Sequence, residues 1–137
     1  MNQAALIRFD THGYPEEGYL HVIERNRLPF KIKRVFYALD TPQGVTRGRH
    51  AHHKTEMILI AVKGEIKIKT VTIEGHQNTF VLNQPNEGLY LPALCWHEMT
   101  YSEDAVQLVL CSTKYREADY IRDWEQFQRL QHHHGPA

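Results

Sequence analysis

The sequence predicts an all-β fold, a barrel or sandwich, closed by a single C-terminal helix. Three observations predict it. Short runs rich in β-branched and aromatic residues recur along most of the chain. Glycine, proline and asparagine signals separate them. Helical spacing of apolar residues appears only near the end. At 137 residues with 42% apolar and 23% charged side chains, the chain is one domain with enough apolar content for a single core.

Taken in order, Tyr19 to Glu24 alternates, and Ile32 to Leu39 is β-branched and aromatic. Met57 to Val62 is apolar without alternation, as expected of a strand buried on both faces. Lys63-Gly64 is a turn. Glu65 to Ile73 then alternates, with Ile66 and Ile68 on one face and Glu65, Lys67 and Lys69 on the other. Glu74-Gly75-His76 turns again before Thr79 to Leu82, and Asn83 to Gly88 forms a loop. Leu89 to Leu91, Trp96 to Tyr101 and Ala105 to Cys111 bring the total to eight or nine strands. Tyr120, Ile121, Trp124, Phe127 and Leu130 recur at helical spacing. Asp119 at the start and Arg129 near the end match the helix dipole. The predicted domain is 1–131, with 132–137 as a polar tail.

Sixteen basic and sixteen acidic side chains cancel, so binding to nucleic acid or an anionic membrane, which needs excess positive charge, is not expected. Two cysteines, Cys95 and Cys111, suit free thiols in a reducing cytoplasm. No basic-then-apolar leader pattern is visible, and the longest aliphatic run is far short of the roughly 20 residues of a membrane span.

The outlying feature is ten histidines, three of them in the tail. His12, His21 and His76 stand alone and suit ordinary surface or packing roles. His50 and His52 are two apart, so in extended chain they share a face, and Glu56 keeps that parity. His53 has the opposite parity and faces away. The frame Gly44…His50-x-His52…Glu56…Gly64 resembles the first motif of the cupin family. Pro92 followed by His97 resembles the second, with Leu94 where glycine is common. The resemblance implies a jelly-roll β-barrel with His50, His52 and His97 lining its interior.

Two uses of such a barrel stay open on the residues alone. His50, His52, Glu56 and His97 could hold a divalent metal, since imidazole and carboxylate suit iron, manganese, nickel or zinc. Alternatively the barrel holds no metal and a histidine acts as general base near neutral pH. Lys33, Arg34, Arg47, Arg49 and Lys54 cluster around the histidines, suggesting an anionic ligand held by arginine forks, which favours the second use. Tyr37, three residues after Arg34, is a candidate proton donor or relay. Cys95 shares parity with His97, and a small buried hydrophobe is its expected role.

A narrower pattern is present. Leu28 to Tyr37, Arg47-Gly48-Arg49-His50-Ala51-His52, Gly88-Leu89-Tyr90, Trp96-His97-Glu98-Met99 and Glu117 to Arg122 are similar to the dTDP-4-keto-6-deoxyglucose 3,4-ketoisomerases, the WxcM-like branch of the cupins. The resemblance runs from about residue 6 to 130. It implies a cytoplasmic homodimer that uses no metal or other cofactor. It also implies a shift of the keto group of a dTDP-linked 4-keto-6-deoxyhexose from C4 to C3, supplying surface-polysaccharide synthesis. Carried over, His50, His52 and Tyr37 are catalytic, and Arg34, Arg47 and His97 bind substrate; Lys54 joins the binding set from the cationic cluster. Met57, where glutamine is expected, His53, and a long Gly13 to Gly18 segment depart from the pattern.

Overall fold

A computed structural model describes residues 3–134. Two five-stranded antiparallel sheets face each other. The first has the order β1 (Ala5–Arg8), β9 (Glu87–Leu91), β6 (Met57–Lys63), β11 (Val106–Cys111), β4 (Arg34–Leu39). The second runs β12 (Tyr120–Ile121), β5 (Thr46–His52), β10 (Cys95–Tyr101), β7 (Ile66–Thr72), β8 (Gln77–Leu82). A separate hairpin pairs β2 (Asp10–Tyr14) with β3 (Gly18–Val22). One helix, α1 (Trp124–His134), ends the described residues. The expected all-β fold with a C-terminal helix is present, with twelve strands among the described residues rather than eight or nine.

Three apolar clusters fix the layers. Between the sheets lie Met57, Leu59, Ala61, Ile66, Ile68, Leu89, Leu91, Val109 and Cys111. On the outer face of the first sheet, Ile58, Ile60, Tyr90 and Leu110 pack beneath Phe9, Leu28 and Phe30 from the N-terminal segment. β6 is therefore apolar on both faces, which explains its unbroken hydrophobic run. On the outer face of the second sheet, Ala51, Trp96 and Ile121 receive Phe127 of α1.

The C-terminal elements differ from the sequence expectation. The helix does not start at Asp119. Glu117–Asp119 is a 3-10 turn, Tyr120–Ile121 is a strand paired to β5, and the helix is capped by Asp123. The Asp123 carboxylate accepts the Glu125 N–H at 3.1 Å. Ile121 and Phe127 do enter one core, but from a strand and a helix. At the far end the helix runs on through His132–His134, so the tail expected to begin at 132 is helical there; 135–137 lie outside the described residues.

Candidate active site

Strand register builds the site. His97 of β10 lies opposite His50 of β5. The next pair is Glu98 with Gly48, so one extra residue, Arg49, bulges out of β5. Gly48 and Arg49 both take left-handed backbone angles, φ +88° and +57°. The bulge has a consequence for parity. Arg47, three residues before His50, would face away on a regular strand. With Arg49 extruded, Arg47 pairs with Met99, which points inward, and joins His50 in the lining of the cavity.

The cavity measures about 260 Å³ between the sheets. His50, His52 and His97 form one wall. Ring centroids are 4.9 Å apart for His50–His52, 4.6 Å for His50–His97 and 6.2 Å for His52–His97. Met57, Leu59, Met99 and Val109 supply apolar surface, and Tyr101 and Gln107 the polar floor. Tyr101 donates to Gln107 Oε1 at 2.7 Å, and Gln107 Nε2 lies 3.0 Å from Met99 Sδ.

Hydrogen bonds set the tautomers. His50 Nδ1 lies 3.0 Å from the Gly48 carbonyl and His97 Nδ1 lies 3.2 Å from the Cys95 carbonyl. A carbonyl only accepts, so each Nδ1 carries the proton and each Nε2 keeps its lone pair. His52 Nε2 is buried without a partner. Burial, reinforced by the neighbouring His50, pushes His52 down to about 4 and His97 down to about 3. Burial also lowers His50, against the Gly48 bond that raises it. All three rings are neutral at pH 7 and can accept a proton.

Other expected residues fall differently. Arg34 lies at the upper end of β4. Its Nε is buried and unpartnered, and its charge is felt at His52. Tyr37 pairs with Leu108, whose side chain packs on the outer cluster. The same register puts Arg34 and Phe36 beside the inward Cys111 and Val109, so Tyr37 alternates to the outside. It is 69% exposed and reaches the cavity only at its rim. Lys54 is absent from the cavity wall. It borders a separate depression with Glu56, Glu74 and Tyr90, because the chain bends at His53 and Lys54, where Asp119 accepts their backbone N–H groups. Glu56, the carboxylate of the metal-binding reading, turns the same way and accepts the Tyr90 hydroxyl at 2.6 Å. Among the described residues no group of three His, Cys, Asp or Glu is placed to hold a metal ion. His53 is exposed, as its parity predicts, and Cys95 is buried, with its thiol pushed up to about 12 by that burial.

Besides the polar floor, Tyr120 and Arg122 are lining residues that the sequence does not single out. Tyr120 pairs with His52 across β12 and β5, its ring 4.4 Å from His52 and 5.1 Å from His50. Arg122 stacks on the Tyr120 ring at 4.2 Å. Tyr120 and Ile121 fit a helical series with Trp124, Phe127 and Leu130, which conceals the strand.

The family described as FdtA: WxcM-like, C-terminal matches residues 2–132. The chain belongs to this family. Among its relatives is the TDP-4-oxo-6-deoxy-alpha-D-glucose-3,4-oxoisomerase of Aneurinibacillus thermoaerophilus, 40% identical over 82% of this chain and 81% of that one. Among solved structures, a 3,4-ketoisomerase from Helicobacter canadensis superposes with a TM-score of 0.89 at 34% identity, covering 96% of this chain and 99% of that one. A mutant of the 3,4-ketoisomerase QdtA from Thermoanaerobacterium thermosaccharolyticum, in complex with TDP-4-keto-6-deoxyglucose, gives 0.86 at 36% identity, covering 93% and 92%. The WxcM-like sequence thus carries the fold of those enzymes over nearly its whole length.

Proposed function

We propose that this protein is a 3,4-ketoisomerase of a TDP-linked 4-keto-6-deoxyhexose. The observation that carries the reading is the wall of three neutral histidines, two with Nε2 lone pairs set by Nδ1 bonds, in a chain 40% identical to a TDP-sugar 3,4-oxoisomerase. A carbonyl at C4 acidifies the C3 proton, and a neutral imidazole is a base suited to take it. The C3–H electron pair becomes the C3=C4 bond of an enediolate. The O3 proton passes to O4, and a proton delivered to C4 leaves the ketone at C3. Nothing is gained or lost overall, so no external oxidant or reductant is needed.

His50 is our choice as base. Its Nδ1–H is anchored, and it is less buried than His52 or His97. His52 then carries the proton to C4 or holds the sugar oxygens. The cavity suits a hexose rather than a whole nucleotide sugar, so the diphosphate lies outward, where Arg47 is exposed. Arginine there supplies remote binding energy that orients the sugar. His97 completes the binding set in the cavity wall, and Arg34, outside that wall, acts on it through its charge at His52; Tyr37 reaches only the rim and Lys54 lies apart.

Two further readings belong to the proposal. The outward face of β4 carries Val35, Tyr37 and Leu39, each at least half exposed, and the β2–β3 hairpin separately exposes Tyr14, Tyr19 and Leu20. A second copy would cover such a patch, making a homodimer; sedimentation at monomer mass sinks it. The second reading is a cytoplasmic enzyme, supported by the TDP-sugar isomerase relative; no helix among the described residues is long and apolar enough to cross a membrane.

The test is NMR of TDP-4-keto-6-deoxyglucose with the protein in D2O. The expected result is a carbonyl moved to C3 with deuterium incorporated. Substrate that persists with neither change overturns the reading.

A further inference from the structure

The segment after β11 forms a strap beside the cavity, tied to the barrel at two places and braced within itself at a third. First, the Asp119 carboxylate accepts the Lys54 and Thr55 backbone N–H groups at 2.8 and 3.2 Å and the Thr55 hydroxyl, and the His53 N–H donates to the Asp119 carbonyl at 2.8 Å. Burial would raise the Asp119 carboxyl, but these donors outweigh it and keep it ionised below the usual range. Second, Ile121 is fully buried against Ala51, Trp96 and Phe127. Third, Arg122 forks onto Glu117, Nε to Oε1 at 2.8 Å and Nη2 to Oε2 at 3.0 Å, while Tyr115 donates to Glu117 Oε2 at 2.6 Å.

Tyr120 sits between the first and third ties. Its backbone is fixed by pairing with His52, and the Arg122 guanidinium covers one face of its ring. The ring meets His52 at a steep 64° and His50 at 58°. Directly opposed side chains of an antiparallel pair restrict one another's rotamers. His52 has no hydrogen bond at Nε2 to orient it, which leaves that edge of the ring to packing.

We propose that Tyr120, backed by Arg122, is a positioning residue that clamps the His50–His52 pair through its aromatic ring rather than its hydroxyl. The ring holds both imidazoles in their edge-on arrangement and keeps water from them. It does so beside the other groups that face His52: His50 on its own strand, His97 on β10, Arg34 on β4, and Asp119 and Arg122 on the strap. Its bearing on turnover rests on the isomerase reading, whereas its bearing on the imidazoles does not.

Two measurements on Tyr120→Phe and Tyr120→Leu test it, and Tyr120→Met, apolar and ringless, replaces the leucine variant where that one fails to fold. The first is NMR titration of the histidine rings in the free protein. His50 and His52 are expected to titrate closer to the ordinary 6.5 in Tyr120→Leu, because lost burial releases them, and as in the native chain in Tyr120→Phe. The second is steady-state isomerisation. Tyr120→Leu is expected to lower kcat about 100-fold, as misplaced catalytic groups do, with KM changed less than about threefold. Its acid limb should move to higher pH, and phenylalanine should rescue most of the rate. If Tyr120→Phe is as slow as Tyr120→Leu, the hydroxyl transfers a proton and the ring-clamp proposal is wrong. Unmoved titrations and unchanged kcat in the ringless variant overturn it as well. A native chain with no isomerase activity defeats the functional reading and leaves the titration to decide the clamp.

Discussion

His50 and Gly48, two residues apart on β5, are joined by an Nδ1–H to carbonyl bond of 3.0 Å that spans the Arg49 bulge. The same bulge fixes the imidazole tautomer and turns Arg47 inward. It depends on Gly48, whose φ of +88° is costly for any residue with a Cβ. A Cβ at Gly48 would also lie 2.9 Å from the His97 carbonyl, a backbone atom that cannot swing aside. Gly48→Ala is therefore expected to lose about 1–3 kcal/mol of stability. It should lose more activity than that destabilisation alone explains, because both His50 and Arg47 shift. Urea unfolding and the C3-exchange assay on the folded fraction check this. Native activity in the folded variant would separate the bulge from the chemistry.

The proposed base and its neighbour give a graded prediction. His50→Asn removes the Nε2 lone pair and is expected to cost about 10²–10⁴-fold in kcat, with loss of deuterium exchange at C3. His52→Asn should cost a comparable factor if it returns the proton to C4, but it should keep exchange at C3, because enolisation precedes that step. Solvent exchange measured separately from net isomerisation distinguishes the two. Exchange surviving in His50→Asn and lost in His52→Asn would reverse the assignment.

Much of this site was legible because strand parity is a local property. His50 and His52 share a face by spacing alone, and the cross-strand His97 came from motif order. Arg47 was placed among the cationic residues on charge alone, since a bulge that reverses parity leaves no periodic signal. Tyr37 reaches only the cavity rim for the same kind of reason: its strand is evident, but which face of β4 turns inward is decided by pairing with Val109 and Cys111, distant in the sequence. Tyr120 and Ile121 fit a helical series because Ile121 and Phe127 fill one core at a spacing that a strand followed by a helix happens to mimic. The strand β2 was invisible, since all five of its residues are exposed and nothing alternates.

Burial of the histidines makes stability depend on pH. The folded values of His52 and His97, about 4 and about 3, lie below the unfolded 6.5. The unfolded chain therefore binds more protons between those limits. Stability from the neutral rings is complete above pH 6.5 and declines as pH falls toward 4 and 3. Each ring contributes roughly 1.4 kcal/mol per pH unit in that window, so the pair accounts for up to about 4 kcal/mol between pH 7 and pH 5. Urea unfolding at the two pH values reads this directly, and His97→Gln should flatten the slope. A wild-type stability that is level across the window would mean that the rings are hydrated.

Asp119 ties the strap to the corner after His52 through two backbone N–H groups and a hydroxyl. In Asp119→Ala the part-buried Thr55 N–H and hydroxyl lose their acceptor, which costs about 1–3 kcal/mol, while the exposed Lys54 N–H turns to water. Protection of the Ile121 amide against hydrogen exchange should fall with it, while amides of β6 and β11 keep theirs. Equal loss of protection in both places would mean that the carboxylate supports the whole barrel rather than the strap.

Glu56 provides the sharpest contrast with a metal-centred barrel of similar motif. It stands where that reading requires a carboxylate ligand, yet it accepts the Tyr90 hydroxyl on the other side of the chain, bordered by Lys54 and Glu74. Burial, first, and the bond to Glu56, second, push the Tyr90 phenol well above its ordinary value, so the tyrosine stays a donor throughout the working range. Glutamine keeps an acceptor oxygen for that hydroxyl. Glu56→Gln is therefore expected to retain kcat and KM within about twofold and to lose no more than about 1 kcal/mol of stability, one neutral hydrogen bond replacing a charged one. If isomerisation instead collapses while the variant remains folded, the carboxylate reaches the reacting centre in the working enzyme. Recovery of that lost rate by added divalent ion would then place a metal among His50, His52 and His97.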